Sequence, residues 1–477
     1  MAKGLVKVWM SSEKKPGARS WYHAPSDITY KLEKQEDLDV IAEDNSVVTT
    51  ININPNKKYQ SILGIGTSIE ESTVYCLGRM SEVKRHEVLT KLVHAKDGIG
   101  MNLVRVCIGT ADFTGREFYT YDDRLNNEPD VNLDYFSIQK DIDYNIISTL
   151  KEAIAINPEI KFFASSWTPP GWMKESNNEF TEDNAYNLKG GKLKTEYIEI
   201  LAKYYRKFIE AYKEHGILIY AITLQNEPML EINYPSCAIS SEQEKKLAIA
   251  LKKELSAHKI NTKIWTFDHN FNDGKKFATE AIDSEEALNA VDGIAFHDYD
   301  GEPTVMQEVQ ELFKGKDVML TERAVWGTKG ADRIAKYFRN WAISYNSWVT
   351  MLDSNITPHQ WVGTPDPTIL VQDSIPTDIL KSGDLYNNYW LCPEYYLIGQ
   401  FSKFVQRGAR RIDSNYGSTD KITNVAFLNP DNNIVTVVIN QTMEEQLFKI
   451  VSNGLQISTK VPGGTVTTFV WEHKTGN

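Results

Sequence analysis

Between residues 59 and 404 short apolar runs alternate with longer amphipathic stretches. The runs are 59–64, 102–109, 161–167, 220–227, 263–269, 293–299, 317–322 and 347–354. Each is short and continuous, which predicts strands buried on both faces of a parallel sheet. Residues 81–95, 136–155, 196–215 and 242–258 place apolar side chains at helical spacing. Strand–helix alternation repeated eight times predicts an α/β fold, a (β/α)8 TIM barrel over 59–404.

Both ends of the chain break the rhythm. Residues 5–10 and 46–52 carry β-type pieces, and NVAFLNPDNNIVTVVINQT from Asn424 reads as two strands around an Asp-Asn turn. LFKIVS and TVTTFVWEH follow with the same character. The expectation is a β-sandwich side domain formed by both chain termini, residues 1–58 with 405–477.

Several predicted strands close on polar groups. Strand two holds Arg105 and leads to Asp112. Strand three ends in Ser166-Trp167, strand four in Asn226-Glu227, strand six in His297 and Tyr299, and strand seven in Glu322. Catalytic groups of barrel enzymes sit at these C-terminal strand ends. A carboxylate closing a buried strand costs desolvation unless a site needs it. A lone glutamate there reads as a salt bridge or a helix cap. Two of them, Glu227 and Glu322, read as the paired carboxyls that cleave glycosidic bonds, one protonated and one ionised. The Asn226 amide can bond a sugar 2-hydroxyl, a contact that strengthens in the transition state.

Composition narrows the partner classes. The chain has 477 residues, a net charge of -12 and 11% aromatic residues. Phosphate binding needs clustered cations, so neither nucleic acid nor an anionic membrane is expected as the main partner. Cys76, Cys107, Cys237 and Cys392 are far apart and lack metal spacing, so free thiols are expected. MAKGLVKVWMSSEKK has no signal-peptide h-region, and no run of about 20 apolar residues spans a membrane. A cytoplasmic protein is expected, or a secreted one whose leader has been removed.

The ordered motifs resemble those of glycoside hydrolase family 30, in its glucosylceramidase-like (acid β-glucosidase) branch. NLVRVCIGTADF at 102–113 is similar to the family's second-strand segment, and SSWTPPGWMK at 165–174 to its Ser-Pro-Trp-Thr-Ser-Pro motif. TLQNEP resembles the acid/base strand and LTERAVWG the nucleophile strand. EYYLIGQFSKFVQRGARRI at 394–412 resembles the return to the sandwich. The resemblance implies a retaining, exo-acting β-glycosidase with Glu227 as acid/base and Glu322 as nucleophile. It implies substrate contacts at Asp112, Trp167, Asn226, Tyr299 and Trp348, with Arg105 and His297, and Tyr299 as well, orienting the glutamates. Asp112 also suits a turn cap, Trp167 core packing and His297 a satisfied core histidine. HDYD at 297–300 has the look of a metal cluster, but hard cations want more convergent oxygens, so no metal and no cofactor are expected.

Two segments depart from the family pattern. Met351 stands where the family's Gly-Trp-Thr-Asp-Trp ends in tryptophan, which is expected to loosen the sugar pocket. Gly66-Thr67-Ser68-Ile69-Glu70-Glu71 replaces Gly-Gly-Ala-Met-Thr-Asp. The substrate class stays open among β-glucoside or glucosylceramide, β-1,6-glucan, and β-xyloside or β-fucoside. An inactive carbohydrate-binding barrel would need a missing carboxylate. An aldolase or metal hydrolase would need a strand-end lysine or a His-x-His pair, and the strands carry neither.

Overall fold

The computed structural model describes residues 5–17, 22, 25, 27–41, 49–374, 385–418 and 420–473. Eight parallel strands close a barrel in chain order: Gly64–Ser68, Leu103–Ile108, Lys161–Ser166, Ile219–Thr223, Lys263–Asn270, Gly293–His297, Asp317–Glu322 and Ala342–Ser347. The helices Glu82–Val93, Ile146–Ile156, Ile198–Glu214 and Ser241–Ala257 fall where the apolar spacing predicts them. The stretch expected as one helix over 136–155 divides at Asn145, whose φ of 65° is left-handed.

The barrel interior has two layers, set by the period of two along each strand. The lower one is apolar: Leu103, Phe163, Trp265, Met319 and Ile343 pack with two alanines. Two residues further along, the inward positions turn polar: Arg105, Ser165, Thr223, His297 and Thr321.

Two strands differ from expectation. The first lies at Gly64–Ser68, not 59–64, and its sequence is GIGTS. A Cβ on Gly66 would sit 1.7 Å from the Leu103 carbonyl oxygen, so close approach of the neighbouring backbone excludes the large residues that mark a strand. The eighth is Ala342–Ser347, not 347–354. Its inward polar groups weaken the apolar signal; Asn346, for example, donates to the Leu103 carbonyl at 2.8 Å. Residues 348–350 form a turn, and Met351–Asp353 joins Leu370–Gln372 and Tyr389–Leu391 in a separate three-stranded sheet.

Both chain ends build the side domain. Leu5–Ser12 pairs antiparallel with Thr465–Glu472, which continues through Asn433–Asn440, Ile422–Leu428 and Arg410–Ser414 to the long strand Thr50–Ser61. That strand also pairs in parallel with Gln446–Ser452, which pairs with Leu455–Val461. One strand shared by both halves lets the sheet fold over a common core that includes Val8, Ile53, Phe448 and Phe469. Thr50–Ser61 carries the side domain past residue 58, and residues 46–48 of the expected N-terminal piece lie outside the described residues. All four cysteines are free. Among the described residues no helix is long and apolar enough to cross a membrane.

Candidate active site

The C-terminal rim of the barrel brings the expected polar residues together around a cavity of about 360 Å³ lined by Asp112, Trp167, Asn226, Glu227, Glu322 and Trp348, among others. Arg105, fully buried on the second strand, sits beneath it. Its guanidinium donates to Ser165 Oγ at 3.0 Å, to Asn226 Oδ1 and Asp268 Oδ2 at 2.9 Å each, and to Glu322 Oε2. Every donor edge thus meets a fixed acceptor, as a buried arginine requires. Because Asn226 accepts through Oδ1, its NH2 is left as the donor facing the cavity.

Glu322 ends the seventh strand. Tyr299 Oη donates to its Oε1 at 2.8 Å, and Arg105 holds Oε2. Glu227 lies beyond the end of the fourth strand, which stops at Thr223. Its φ of 49° is left-handed, a conformation that costs a non-glycine residue about 1–3 kcal/mol. Backbone bonds on both sides hold it there: Asn226 N donates to Ser166 O at 2.7 Å, and Glu227 N to Asp268 O at 3.1 Å. One carboxylate oxygen of Glu227, one of Glu322 and one ring nitrogen of His297 all lie within 4.8 Å of one another.

His297 links the two carboxylates to the barrel floor. Nδ1 lies 3.1 Å from Glu227 Oε1, and Nε2 lies 3.1 Å from Asp268 Oδ1. Burial works against charge on the imidazole. Glu322, Asp268 and the hydrogen bonds to Asp268 and Glu227 outweigh it and raise His297 to about 10. The imidazolium therefore donates from both nitrogens and keeps no lone pair for a cation, although Glu227, His297 and Glu322 have the mutual distances of metal ligands. The Asp298 carboxylate of the HDYD segment is taken up by Arg333 at 2.6 and 2.7 Å.

Burial alone would raise the Glu227 carboxyl. The hydrogen bond and charge of His297, with His269 and Arg105 behind it, overcome burial and leave Glu227 below its ordinary 4.5. His269 approaches Glu227 Oε1 to 3.7 Å, and burial lowers its own basicity. Asp112 behaves oppositely: burial, then Glu322 and Glu227, raise it well above the usual carboxylate range. Its side chain is nearly buried and lines the cavity. Trp167 and Trp348 stack there at 5.1 Å, and the Arg105 guanidinium lies 4.8 Å from the Trp167 ring centroid.

The unforeseen member is Asp268. It accepts from Arg105, from Thr223 at 2.7 Å, from Thr321 at 2.5 Å, from Ser165 at 3.2 Å and from His297. Burial opposes its charge, but Arg105 and His297 hold it far below the carboxylate range. Regular alternation from Trp265 puts residue 267 inside and 268 outside. The ladder to the sixth strand, however, runs from Ala295↔Phe267 to Phe296↔His269, so Asp268 is the extra residue of a β-bulge. Phe267 and Asp268 have φ of 77° and 59°. The bulge sends Phe267 outward onto Phe277 and Phe296 and turns Asp268 into the barrel.

Met351 does not reach the cavity. It is fully buried in the main core, and Trp348 of the same segment supplies the aromatic wall. Glu70 and Glu71 also lie away from the lining: Glu70 caps the helix Glu71–Gly78, and Glu71 accepts from Thr114 and from the backbone N–H of Gly115.

Comparison with known proteins agrees with this frame. Residues 62–405 match the family model described as the glycosyl hydrolase family 30 TIM-barrel domain, and 408–469 the one for the family 30 beta sandwich domain. An endo-1,6-beta-D-glucanase of Trichoderma harzianum is 29% identical over 431 residues, 86% of this chain and 84% of that protein. The lysosomal acid glucosylceramidase of Mus musculus is 25% identical over 445 residues, 89% and 84% of the two chains. A solved structure titled as an endo-beta1,6-glucanase is 27% identical, with a TM-score of 0.82 over 98% of this chain and 100% of that one.

Proposed function

Given that this chain belongs to glycosyl hydrolase family 30, we propose that it cleaves β-linked sugars by double displacement, with Glu322 as nucleophile and Glu227 as acid/base. That it is a glycoside hydrolase follows from the family. The observation that carries the mechanism is the closeness of the two carboxylates, one oxygen of each lying within 4.8 Å of the other. Retaining enzymes hold these groups about 5–5.5 Å apart, whereas an attacking water needs about 6.5–9.5 Å.

In this reading the sugar lies against Asp112, its outer hydroxyls on that carboxyl and its apolar face on the Trp167–Trp348 stack. Asn226 donates to the 2-hydroxyl. Arg105 and Tyr299 fix the Glu322 oxygens for attack at the anomeric carbon while Glu227 protonates the leaving oxygen. The covalent ester removes the negative charge of Glu322, and Glu227, now ionised, takes a proton from the incoming water. Asp112, nearly buried beside the Trp167–Trp348 stack, supports release of a terminal sugar, which we assign as β-linked glucose.

A second reading, internal cleavage of β-1,6-glucan, is favoured by several relatives carrying that activity in their names. The test is hydrolysis of a panel of nitrophenyl β-glycosides, glucosylceramide and β-1,6-glucan, with the anomer of the first product followed by NMR. We expect β-product and turnover of the glucoside. First-formed α-product overturns the mechanism, and mixed internal fragments without glucose replace the exo reading with the endo one.

A further inference from the structure

Beside the catalytic cavity runs a second one of about 420 Å³, between the barrel rim and the side domain, a size within the ~300–1,000 Å³ usual for ligand clefts. The two are neighbours in a specific sense: Tyr299 lines both. Its hydroxyl rests on Glu322, while its ring, 43% of the residue exposed, forms the threshold.

From that threshold Arg323 and Trp326 continue the lining of the second cavity. The Arg323 guanidinium lies 4.6 Å from the Tyr299 ring centroid and 4.2 Å from that of Trp326. Arg323 also pairs with Asp366, which lines the catalytic cavity. One side of the groove is rigid, because Arg333 and Tyr337 both donate to Asp298. The other is edged by Lys329 and by Gln441, which follows the side-domain strand Asn433–Asn440. Among the described residues no hydrogen bond or ion pair engages the Lys329 ammonium or the Gln441 amide.

We propose that this groove is a saccharide subsite for the leaving side of the substrate, which crosses Tyr299 and lies along Arg323 and Trp326 toward Gln441. The inference rests on the retaining-glycosidase reading and extends it by naming the leaving group as a glycan rather than a lipid. Planar side chains offer faces to sugar rings. Uncommitted ammonium and amide groups offer bonds to hydroxyls, and an aliphatic tail would desolvate the Lys329 ammonium without giving it a partner.

The test compares kcat/KM on nitrophenyl β-glucoside, which ends before the groove, with β-1,6-linked gluco-oligosaccharides of two to six units. We expect kcat/KM to rise with length, on the order of tenfold in total, equivalent to about 1.4 kcal/mol. Lys329→Ala with Gln441→Ala should erase most of the rise and leave nitrophenyl glucoside turnover within a factor of two of the parent. Trp326→Ala should do the same; if it misfolds, the Lys329 and Gln441 pair carries the test. A flat length profile, or a rise untouched by these changes, overturns the subsite while the catalytic reading stands. Loss of all activity on the aryl glucoside in the unmodified protein brings down the catalytic reading, and the subsite with it. Isothermal titration of Glu322→Gln with the dimer and hexamer gives an independent readout, the hexamer being expected to bind about tenfold more tightly.

Discussion

Two residues separate the lower layer of the barrel interior from the upper on most strands: Leu103 from Arg105, Phe163 from Ser165, Ala221 from Thr223, Ala295 from His297 and Met319 from Thr321. The backbone rule is the same in both layers, and the energetics are opposite. Below, apolar side chains fill space, and each stabilises in proportion to the area it removes from water. Above, charges that would be costly singly are held by one another, with Asp268 balancing Arg105 and His297. The lower layer can exchange members of equal volume and keep its purpose. The upper one depends on identity, because each group sets the charge of the next.

The strongest break in that comparison is at Glu322. Glu322→Ala should lower kcat by roughly 10⁴-fold or more and be rescued by azide, while Glu227→Ala should keep turnover on aryl glycosides with very good leaving groups. Similar behaviour of the two variants in a rescue assay contradicts the assigned roles.

Next come substitutions that separate the layers directly. Trp265→Ala leaves a cavity and should cost about 3–5 kcal/mol in denaturant unfolding, with the specific activity of the folded fraction preserved. Asp268→Asn should cost a similar ~3–5 kcal/mol, since Arg105 and His297, both buried, lose the carboxylate they share, but here activity should fall as well. Equal activity losses in the two variants would erase the distinction drawn between the layers.

Asp112 lies at the rim, where the polar layer opens to the sugar. Asp112→Ala should lower kcat/KM about 10²-fold or more with little change in melting temperature, since the hydroxyls it would accept are left unpaired.

A smaller effect concerns pH. Glu227 must carry a proton to act as an acid, and His297 holds it below 4.5. The acid form is therefore lost as pH rises through that lowered value, so kcat/KM should be highest in the acid range and decline toward neutrality. His297→Gln removes the largest of the groups that hold the carboxyl down and should shift the alkaline limb upward. A limb that does not move assigns it to another group.

The alternating apolar runs made the barrel and the terminal side domain legible, because strands buried on both faces have little freedom in composition. Glu227 and Glu322 were legible for the converse reason, as carboxylates where desolvation is costly. What escaped has local causes. The first strand is glycine-rich because a neighbouring backbone crowds it, and the eighth is polar inside, so the run after it looked more like a strand. Asp268 was hidden by its bulge, since counting in twos from Trp265 points it outward. Met351 was read by correspondence of position, and the turn at 348–350 carries it into the core instead.

The pairing of Leu5–Ser12 with Thr465–Glu472 has a consequence for synthesis. Leu5–Ser12 is translated long before the strand it hydrogen-bonds to. At about 5–20 residues per second it waits roughly half a minute to a minute and a half for its partner. During that time the barrel can close, but Val6, Val8 and Met10 have no covering strand on that edge. A chain stopped early, even one with every catalytic residue translated, carries an open apolar edge that chaperones and proteases recognise. Completion of the side sheet therefore depends on translation reaching Thr465–Glu472.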